Sequence, residues 1–349
     1  MSNRALMVDA IGTEIIQRAS YLEDTRLGSI YFGGGTPSLL TEGEMESLFE
    51  CISDVFSFDE EIEITLEANP DDLSEVKLKS LADSPVNRLS IGIQSFLDDD
   101  LRLMNRVHSS LEAKKSLELA FSVGFDNISI DLIYGTPGST LEKWSANLDV
   151  AFGYEVPHLS CYGLTVEPRT VLAHQVKNGA VTMPEDLHVV EQFHHLIDRT
   201  ALRDFDHYEI SNFCKPGFQA VHNTNYWRNL PYLGVGPSAH SFQKQTRSWN
   251  IANNQKYLRA IQNGTGYQDK EILTKAQIYN EYVMIGLRTK WGCDLKKIRN
   301  LDPTFATHFQ THILRYLEDK LIYQDNDTYI LNQAGKPYAD RIASDLFIV

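Results

Sequence analysis

Short runs rich in β-branched and aromatic residues alternate with amphipathic segments through roughly the first two hundred residues. The runs predict β-strands at 29–32, 61–66, 88–93, 127–133 and 158–165. Helix start signals follow most of them, such as the capping box of Ser109 and Glu112. Alternation at intervals of about 30 residues requires parallel strands joined by right-handed crossovers. The pattern therefore predicts an α/β fold, either a doubly wound sheet or a full or partial (β/α) barrel, with ligands at the carboxyl ends of the strands.

The first helix departs from this order. Val8, Ile11, Ile15 and Leu22 give residues 3–22 a helical apolar face, yet no strand precedes that helix in the sequence. A parallel unit of strand and helix usually opens with its strand. The chain therefore looks as though it enters its fold one step late, with an opening strand missing.

The pattern changes after residue 170. It predicts a long helix at 184–203, and residues 208–242 are rich in glycine, asparagine and aromatic residues without a clear period. Helical periodicity returns after Thr274, and the last residues predict a helix, a two-stranded wing and another helix. We therefore predict three parts: the sheet or full or partial (β/α) barrel at 1–205, a connecting segment at 206–272, and a smaller α+β, winged-helix-like domain at 273–349.

The composition is that of a globular protein, with 349 residues, 42% hydrophobic and 23% charged, which excludes a disordered chain. The 32 basic and 47 acidic residues give a net charge of −15, and the basic residues form no stripe, which argues against a nucleic-acid partner. Charges recur at short intervals in the first 25 residues, and no apolar run approaches the ~20 residues of a membrane-spanning helix. We therefore expect a cytoplasmic protein.

Four cysteines lie far apart in the sequence. Cys51, Cys161, Cys214 and Cys293 match neither a disulfide framework nor a CxxC metal site. Cys51 falls on the apolar stripe of a predicted helix, where a thiol behaves as a small hydrophobic group. We expect these thiols to be structural or incidental.

Polar residues stand where the predicted strands end. A glycine-rich turn at 33–37 exposes backbone groups for a ligand, and Glu67, Gln94 and Asp131 follow or interrupt apolar runs. Carboxylates there can hold a ribose diol or an ammonium group, and Arg106 can hold a carboxylate through its fork of donors. Together they suit a zwitterionic ligand that carries a ribose.

The segment from His207 to His240 combines histidine, asparagine, glycine and aromatic residues. Such a composition without a core-forming period indicates a structured loop, where binding residues concentrate. An imidazole can ligate haem iron, and Tyr226 and Trp227 can pack against a flat macrocycle. A single histidine is more often an ordinary core or surface residue, and we keep that interpretation for His188, His194 and His195.

Several motifs together resemble a known family, the radical S-adenosylmethionine (SAM) proteins related to oxygen-independent coproporphyrinogen III oxidase, and among them the haem chaperones of the HemW type. The similarity covers nearly the whole chain. It rests on YFGGGTPS at 31–38, RLSIGIQSF at 88–96, NRxH at 105–108, DLIYGTPG at 131–138, LTVEP at 164–168, YEISNF at 208–213 and HNxxYW at 222–227. The last two motifs favour the HemW type over the oxidase.

The resemblance implies a partial barrel that holds SAM and a [4Fe–4S] cluster, followed by a smaller C-terminal domain. By position it implies that SAM is bound by Gly34, Gly35, Thr36, Glu67, Gln94, Arg106, Asp131 and Thr165. It also implies that His222 and Tyr226 bind haem, which the protein then delivers to an acceptor protein.

One family feature is not found in this sequence. Members carry CxxxCxxC at the end of the first barrel strand, where three thiolates bind three irons of the cluster, and these 349 residues contain no such motif. Either the sequence begins downstream of that strand, which we favour because the residues matched to SAM remain, or the protein is a natural relative without a cluster. In both cases we expect no cluster ligands in this chain and no radical chemistry from it as it stands.

Two other functions stay open at this point. Within the family, the chain is alternatively an oxygen-independent coproporphyrinogen III oxidase, which is a radical decarboxylase. Outside it, a cluster-free module could use the barrel mouth for another nucleotide-like ligand. Decarboxylated product would identify the first alternative, and a preference for ATP over SAM would identify the second.

Overall fold

The computed structural model describes residues 3–349, so Met1 and Ser2 of the first predicted part lie outside the described residues. The strands are β1 Arg26–Phe32, β2 Ser57–Ala68, β3 Arg88–Gln94, β4 Ile128–Tyr134, β5 His158–Gly163, β6 Asp206–Glu209, β7 Asn212–Cys214, β8 His240–Gln243, β9 Thr246–Asn250, β10 Gln268–Ile272, β11 Cys293–Asp294, β12 Ile322–Asp325 and β13 Thr328–Leu331. The helices are α1 Asn3–Gln17, α2 Glu42–Ser53, α3 Glu75–Ala82, α4 Asp98–Leu103, α5 Ser110–Ser122, α6 Leu141–Gly153, α7 Val171–Lys177, α8 Asp186–Ala201, α9 Val221–Trp227, α10 Asn254–Asn263, α11 Lys275–Arg288, α12 Leu295–Leu301, α13 Pro303–Glu318 and α14 Ala339–Asp345.

Seven strands form the main sheet, in the order β1-β2-β3-β4-β5-β7-β6. The first five are parallel, and β7 runs antiparallel to both β5 and β6. The five parallel strands lie in chain order, whereas a doubly wound sheet reverses its order at a switch point. The order therefore confirms the partial (β/α) barrel, and the sheet curls into a half-barrel.

β1 forms one edge of this sheet. Within residues 3–349, no strand pairs with the side of β1 that faces away from β2. Helix α1 precedes β1 and packs on α2, and its apolar side chains Val8 and Ile15 share a small core with Leu48 and Ile52. The helix that the sequence placed before the first strand is thus docked on the barrel beside this edge.

The predicted strands are all present, with different ends. β5 stops at Gly163, so Thr165 lies beyond the strand and is exposed, and the prediction of a strand through 165 is wrong at its end. The segment 208–242 also holds more regular structure than the predicted loop. β7 and α9 lie inside it and β8 begins in it, and each has only three to seven residues, too few to show a period.

The last 75 residues pack around a second core. Helices α11 to α14 surround the small sheet β11-β13-β12, and Tyr279, Phe309 and Ile313 lie at its centre. This arrangement agrees with the predicted α+β accessory part. Between it and the half-barrel, β8, β9 and β10 form a separate antiparallel sheet.

Candidate functional site

Alternate residues of the parallel strands place polar side chains on one face of the half-barrel. Residues paired across neighbouring strands point to the same face, and the register pairs Thr65 with Arg88, Ser129 with His158, and Asp131 with Ser160. The intervening residues, such as Leu66 and Leu89, are fully buried in the core. One face of the sheet is therefore an apolar layer against the helices, and the other is a polar lumen.

The layer of the lumen farther from the carboxyl ends of the strands, which we call the lower layer, is closed by a buried hydrogen-bond network. His158 shares hydrogen bonds of 2.7 Å with Ser129 through Nδ1 and with the hydroxyl of Tyr208 through Nε2. Burial, with the charge of Arg88 second, lowers the pKa of His158 well below its ordinary value. The imidazole is therefore neutral, and this layer forms a floor under the more open mouth at the carboxyl ends.

Glu67 and Asp131 meet at that mouth. The carboxylate of Glu67 accepts a hydrogen bond of 2.7 Å from the Tyr31 hydroxyl and one of 3.1 Å from the Gly34 N–H. Burial raises the pKa of Asp131 to about 7, with the negative charge of Glu67 adding to the effect and Arg106 among the groups that oppose it. The charges of Glu67 and Arg106 therefore both act on the carboxyl of Asp131.

The glycine-rich turn opens beside Glu67. Gly34 and Gly35 have φ angles of +72° and +105°, a region that favours glycine. A Cβ atom built on either residue meets nothing within 4 Å, whereas one on Gly33 would lie 2.5 Å from the Tyr31 ring. The turn thus needs glycine for its conformation and leaves free space in front of its backbone.

Gln94 ends β3 with a φ angle of +65°. Its amide lies over Gly92, because a Cβ on Gly92 would sit 2.9 Å from Nε2 of Gln94. Thr36 is partly buried before the single turn at Pro37–Leu39, and Thr165 is exposed two residues past β5. Gly34 is hydrogen-bonded to Glu67, the charges of Glu67 and Arg106 act on Asp131, Gln94 ends its strand, and Thr165 is exposed beyond β5.

Helix α9 holds His222 against β1. The carboxylate of Glu63 accepts hydrogen bonds of 2.9 Å from the backbone N–H groups of Val221 and His222. The imidazole stacks on Tyr31 at 4.8 Å between ring centroids, and it shares hydrogen bonds with Ser29 at 3.0 Å and with the Tyr226 hydroxyl at 3.1 Å. Because Tyr31 also contacts Glu67, His222 adjoins the mouth.

His222 is neutral in this setting. Burial, followed by the charge of Arg88, lowers the pKa of His222 to about 4. A neutral imidazole is the form that binds metals, although both ring nitrogens already have partners here.

Two cavities lie on either side of α9. The first, which we name the edge groove, has a volume of about 1620 Å³ and runs along β1 between α1 and residues 221–244. The second, which we name the hairpin cavity, has a volume of about 840 Å³ and lies between the β8–β9 hairpin, α9 and α11. Four residues line both cavities and form the wall between them: Asn223, Tyr226, Tyr232 and His240.

Comparison with known proteins agrees with this geometry. Residues 12–151 match the model of the radical SAM superfamily. The heme chaperone HemW of Lactococcus lactis is 33% identical over 94% of this chain and 86% of its own length, and that of Bacillus subtilis is 34% identical over 94% and 88%. The chain belongs to the HemW family of radical SAM proteins. The fold also matches coproporphyrinogen III oxidase (HemN) from Escherichia coli, with a TM-score of 0.83 and 22% identity over 99% of this chain and 84% of that one.

The chain's thiols do not fit the cluster of this family. Cys51, Cys161, Cys214 and Cys293 are free and lie on α2, β5, β7 and β11. Burial raises the pKa of each, which favours the thiol over the thiolate that binds iron. Across residues 3–349, no group of three or more His, Cys, Asp or Glu side chains is placed to hold a metal. In the same part of the chain, no helix is long and apolar enough to cross a membrane.

Three residues of the site were not predicted from the sequence as functional residues. Tyr31 links Glu67 to His222, Glu63 anchors α9, and Arg88 lies 3.7 Å from Glu63 in the lower layer. Their signal was present as alternation of polar and apolar residues within the strands, for example Glu63, Thr65 and Glu67 in β2. A search for apolar runs overlooks that alternation.

Proposed function

We propose that this protein binds SAM at the mouth of the half-barrel, binds haem beside it, and delivers the haem to an acceptor protein. The observation that carries the proposal is the convergence of Glu67, Asp131 and the open turn at Gly34 on one mouth, which His222 adjoins through Tyr31. The relatives that share nearly the whole length of the chain are named haem chaperones, which supports haem as the cargo.

The mouth suits SAM in charge and in shape. SAM carries a sulfonium and an ammonium group, and a cation beside Glu67 and Asp131 opposes both the burial and the charge of Glu67, which together raise the pKa of Asp131. Arg106 can receive the carboxylate of the ligand. The residues that we propose to hold SAM are Gly34, Gly35, Thr36, Glu67, Gln94, Arg106 and Asp131, with Thr165 at the rim. When bound, SAM supplies the adenosyl group from which proteins of this family generate a radical.

Haem is the cargo in this proposal, and His222 and Tyr226 belong to its binding site. Tyr226 lies in the wall between the two cavities, and its hydroxyl is hydrogen-bonded to His222. Aromatic side chains at a cavity wall can pack against a flat macrocycle. We propose the reducing cytoplasm as the compartment of delivery, because the structure leaves all four cysteines free.

Calorimetry with SAM and with ATP tests the SAM site. We expect SAM to bind and ATP not to, because only SAM presents a cation to the two carboxylates. Glu67→Gln should weaken SAM binding by at least about tenfold, since one charge-assisted contact is worth about 1.4 kcal/mol or more. Glu61→Gln is the matched control, because Glu61 lies on the same strand and is exposed. Binding of ATP in preference to SAM would contradict the proposal.

Titration with haem tests the cargo. His222→Ala should weaken haem binding, because it removes the ring that holds Tyr226 in the cavity wall. His312→Ala is the control, since His312 is exposed on α13, away from both cavities. An unchanged titration of the His222 variant would remove its role, and a wild-type protein that binds no haem would refute the cargo itself.

A further inference from the structure

We propose that His240 is the side chain that ligates the iron of haem, and that the porphyrin lies in the hairpin cavity. This inference rests on the haem binding proposed above and assigns the iron ligand within it. The two histidines that line the cavities, His222 and His240, differ in their surroundings.

His222 is committed within the fold, whereas His240 is available. Both ring nitrogens of His222 share hydrogen bonds, one with Ser29 and one with Tyr226. His240 is exposed, and within residues 3–349 its ring nitrogens have no hydrogen-bond or ion-pair partner. Ligation of iron by His222 requires the loss of an existing hydrogen bond, while ligation by His240 requires none.

The hairpin presents His240 on an aromatic face. The register pairs His240 with Trp249 and Phe242 with Arg247, and Tyr232 bridges to Phe242, so that these side chains share one face of the sheet. The imidazole and the indole of Trp249 have their centroids 6.2 Å apart. A flat face with aromatic rings, one free imidazole and one guanidinium matches a metalloporphyrin, which is flat, apolar and carboxylated.

The cavity in front of this face has a suitable size and lining. Its volume of about 840 Å³ falls within the range of about 300–1,000 Å³ that is usual for small-molecule sites. Met284 and Ile285 of α11 supply apolar side chains, and Arg247 lies at the same cavity. Nη2 of Arg247 pairs with Glu281 at 2.9 Å, but Nη1 lies 3.8 Å from Glu271, too far for a hydrogen bond. Nη1 can therefore donate to a haem propionate.

The position of His240 also suits a protein that gives its cargo away. An exposed ligand at the wall of an open cavity lets an acceptor reach the iron without unfolding of the donor. Tyr226 lies in the same wall and contacts Tyr232 with ring centroids 4.4 Å apart. Loss of His222 therefore disturbs the cavity through Tyr226, which is why binding alone does not distinguish the two histidines.

Titration of this chain with ferric haem and with metal-free protoporphyrin IX makes the distinction. We expect His240→Ala to weaken haem binding at least tenfold, to abolish the imidazole-ligated absorption spectrum, and to leave protoporphyrin IX binding unchanged, because that ligand has no iron. Free imidazole should restore the ligated spectrum of the variant. We expect His222→Ala to weaken both porphyrins to a similar degree, and His312→Ala to change neither.

A second variant tests the orientation of the porphyrin. Arg247→Gln should weaken binding of haem severalfold but not that of haem dimethyl ester, whose propionates are uncharged. Arg259→Gln, an exposed arginine on α10, is the control. A wild-type spectrum and affinity in the His240 variant would overturn the inference while the proposed cargo stands. Failure of the wild-type protein to bind any haem would instead overturn the proposed function.

Discussion

Single residues at the mouth carry most of the chemistry that the structure supports. Asp131 is the clearest case, since the charges of Glu67, Arg88 and Arg106 all act on its carboxyl group. The pKa of its carboxyl is raised from 3.8 to about 7, first by burial and then by the charge of Glu67. Near neutral pH the protonated and the ionised forms of Asp131 are both populated, and a bound cation favours the ionised form.

The raised pKa of Asp131 predicts a pH-dependent stability. The folded protein favours the protonated acid, so its stabilising contribution is complete below pH about 4 and is lost as the pH rises through about 7. The free energy of unfolding of the wild type, relative to Asp131→Asn, should therefore fall between pH 5 and pH 8. Urea titrations at both pH values measure it. Asp126→Asn, at an exposed site, is the control, and a difference that is independent of pH would contradict the raised pKa.

Gly34 gives a second test at this scale. Its φ of +72° costs about 1–2 kcal/mol for a residue with a Cβ atom, so Gly34→Ala should lower the free energy of unfolding by about that amount. SAM affinity should fall as well, because the methyl group fills the open space before the turn. Gly43→Ala, in the first turn of α2 with equally open surroundings, should be neutral or stabilising. Equal effects of the two substitutions would argue against a special role for the turn.

At the scale of elements, α9 is held to the barrel by charge at its first turn. Glu63 of β2 accepts the N–H groups of Val221 and His222, and Arg88 of β3 lies 3.7 Å from the same carboxylate. Arg88 and Glu63 are both buried. One buried carboxylate thus contacts both the first turn of α9 and a buried guanidinium. This double contact fixes the position of the helix and the direction of His222.

We therefore predict that Glu63→Gln loosens α9. Removal of one charge of a buried pair costs about 3–5 kcal/mol, and it leaves Arg88 without its counter-charge. The variant should unfold at lower denaturant concentration, and amide exchange at Val221 and His222 should become faster. Glu61→Gln is the matched control two residues earlier. If exchange in α9 is unchanged while stability falls, the carboxylate supports the core but does not hold the helix.

The sequence predicts these elements unevenly, for physical reasons. The strands β1 to β5 and the helix α8 are long enough to show their periods, so the half-barrel could be predicted, as could the residues that end its strands. The position of α9 could not, since Ser29 and His222 are hydrogen-bonded across 193 residues. The availability of His240 depends on cross-strand register in a hairpin whose strands have four and five residues. Register follows from packing, which no local pattern contains.

On the scale of the whole molecule, α1 joins the barrel to the segment that carries His240. Glu14 of α1 is fully buried and accepts hydrogen bonds from the Tyr257 hydroxyl, the Asn250 amide and the Gly236 N–H. Arg18 pairs with Glu14 and donates to the carbonyl of Gly234. The same helix thus lines the edge groove and fixes the approach to the β8–β9 hairpin, so that the mouth and the hairpin cavity keep a defined relation.

The positions of the thiols determine whether this chain can hold an iron–sulfur cluster. Because the four cysteines lie on four separate elements, this chain should assemble no [4Fe–4S] cluster when treated with iron and sulfide under anaerobic conditions. Three of the thiols are buried, so any adventitious iron should follow Cys51 and disappear in Cys51→Ser. A cluster-forming radical SAM protein treated in parallel validates the conditions. A stoichiometric cluster absorbance that survives Cys51→Ser would contradict this assignment of the donor set.

Binding of SAM and haem should not depend on that treatment. The groups that we assign to SAM act by charge and hydrogen bonding from the strand ends, and those assigned to haem lie on the hairpin and α9. Calorimetry with SAM and titration with haem should therefore give the same affinities before and after exposure to iron and sulfide. A SAM affinity that appears only after the treatment would show that the carboxylates and the glycine turn are insufficient, and that the mouth requires a group which these residues do not supply.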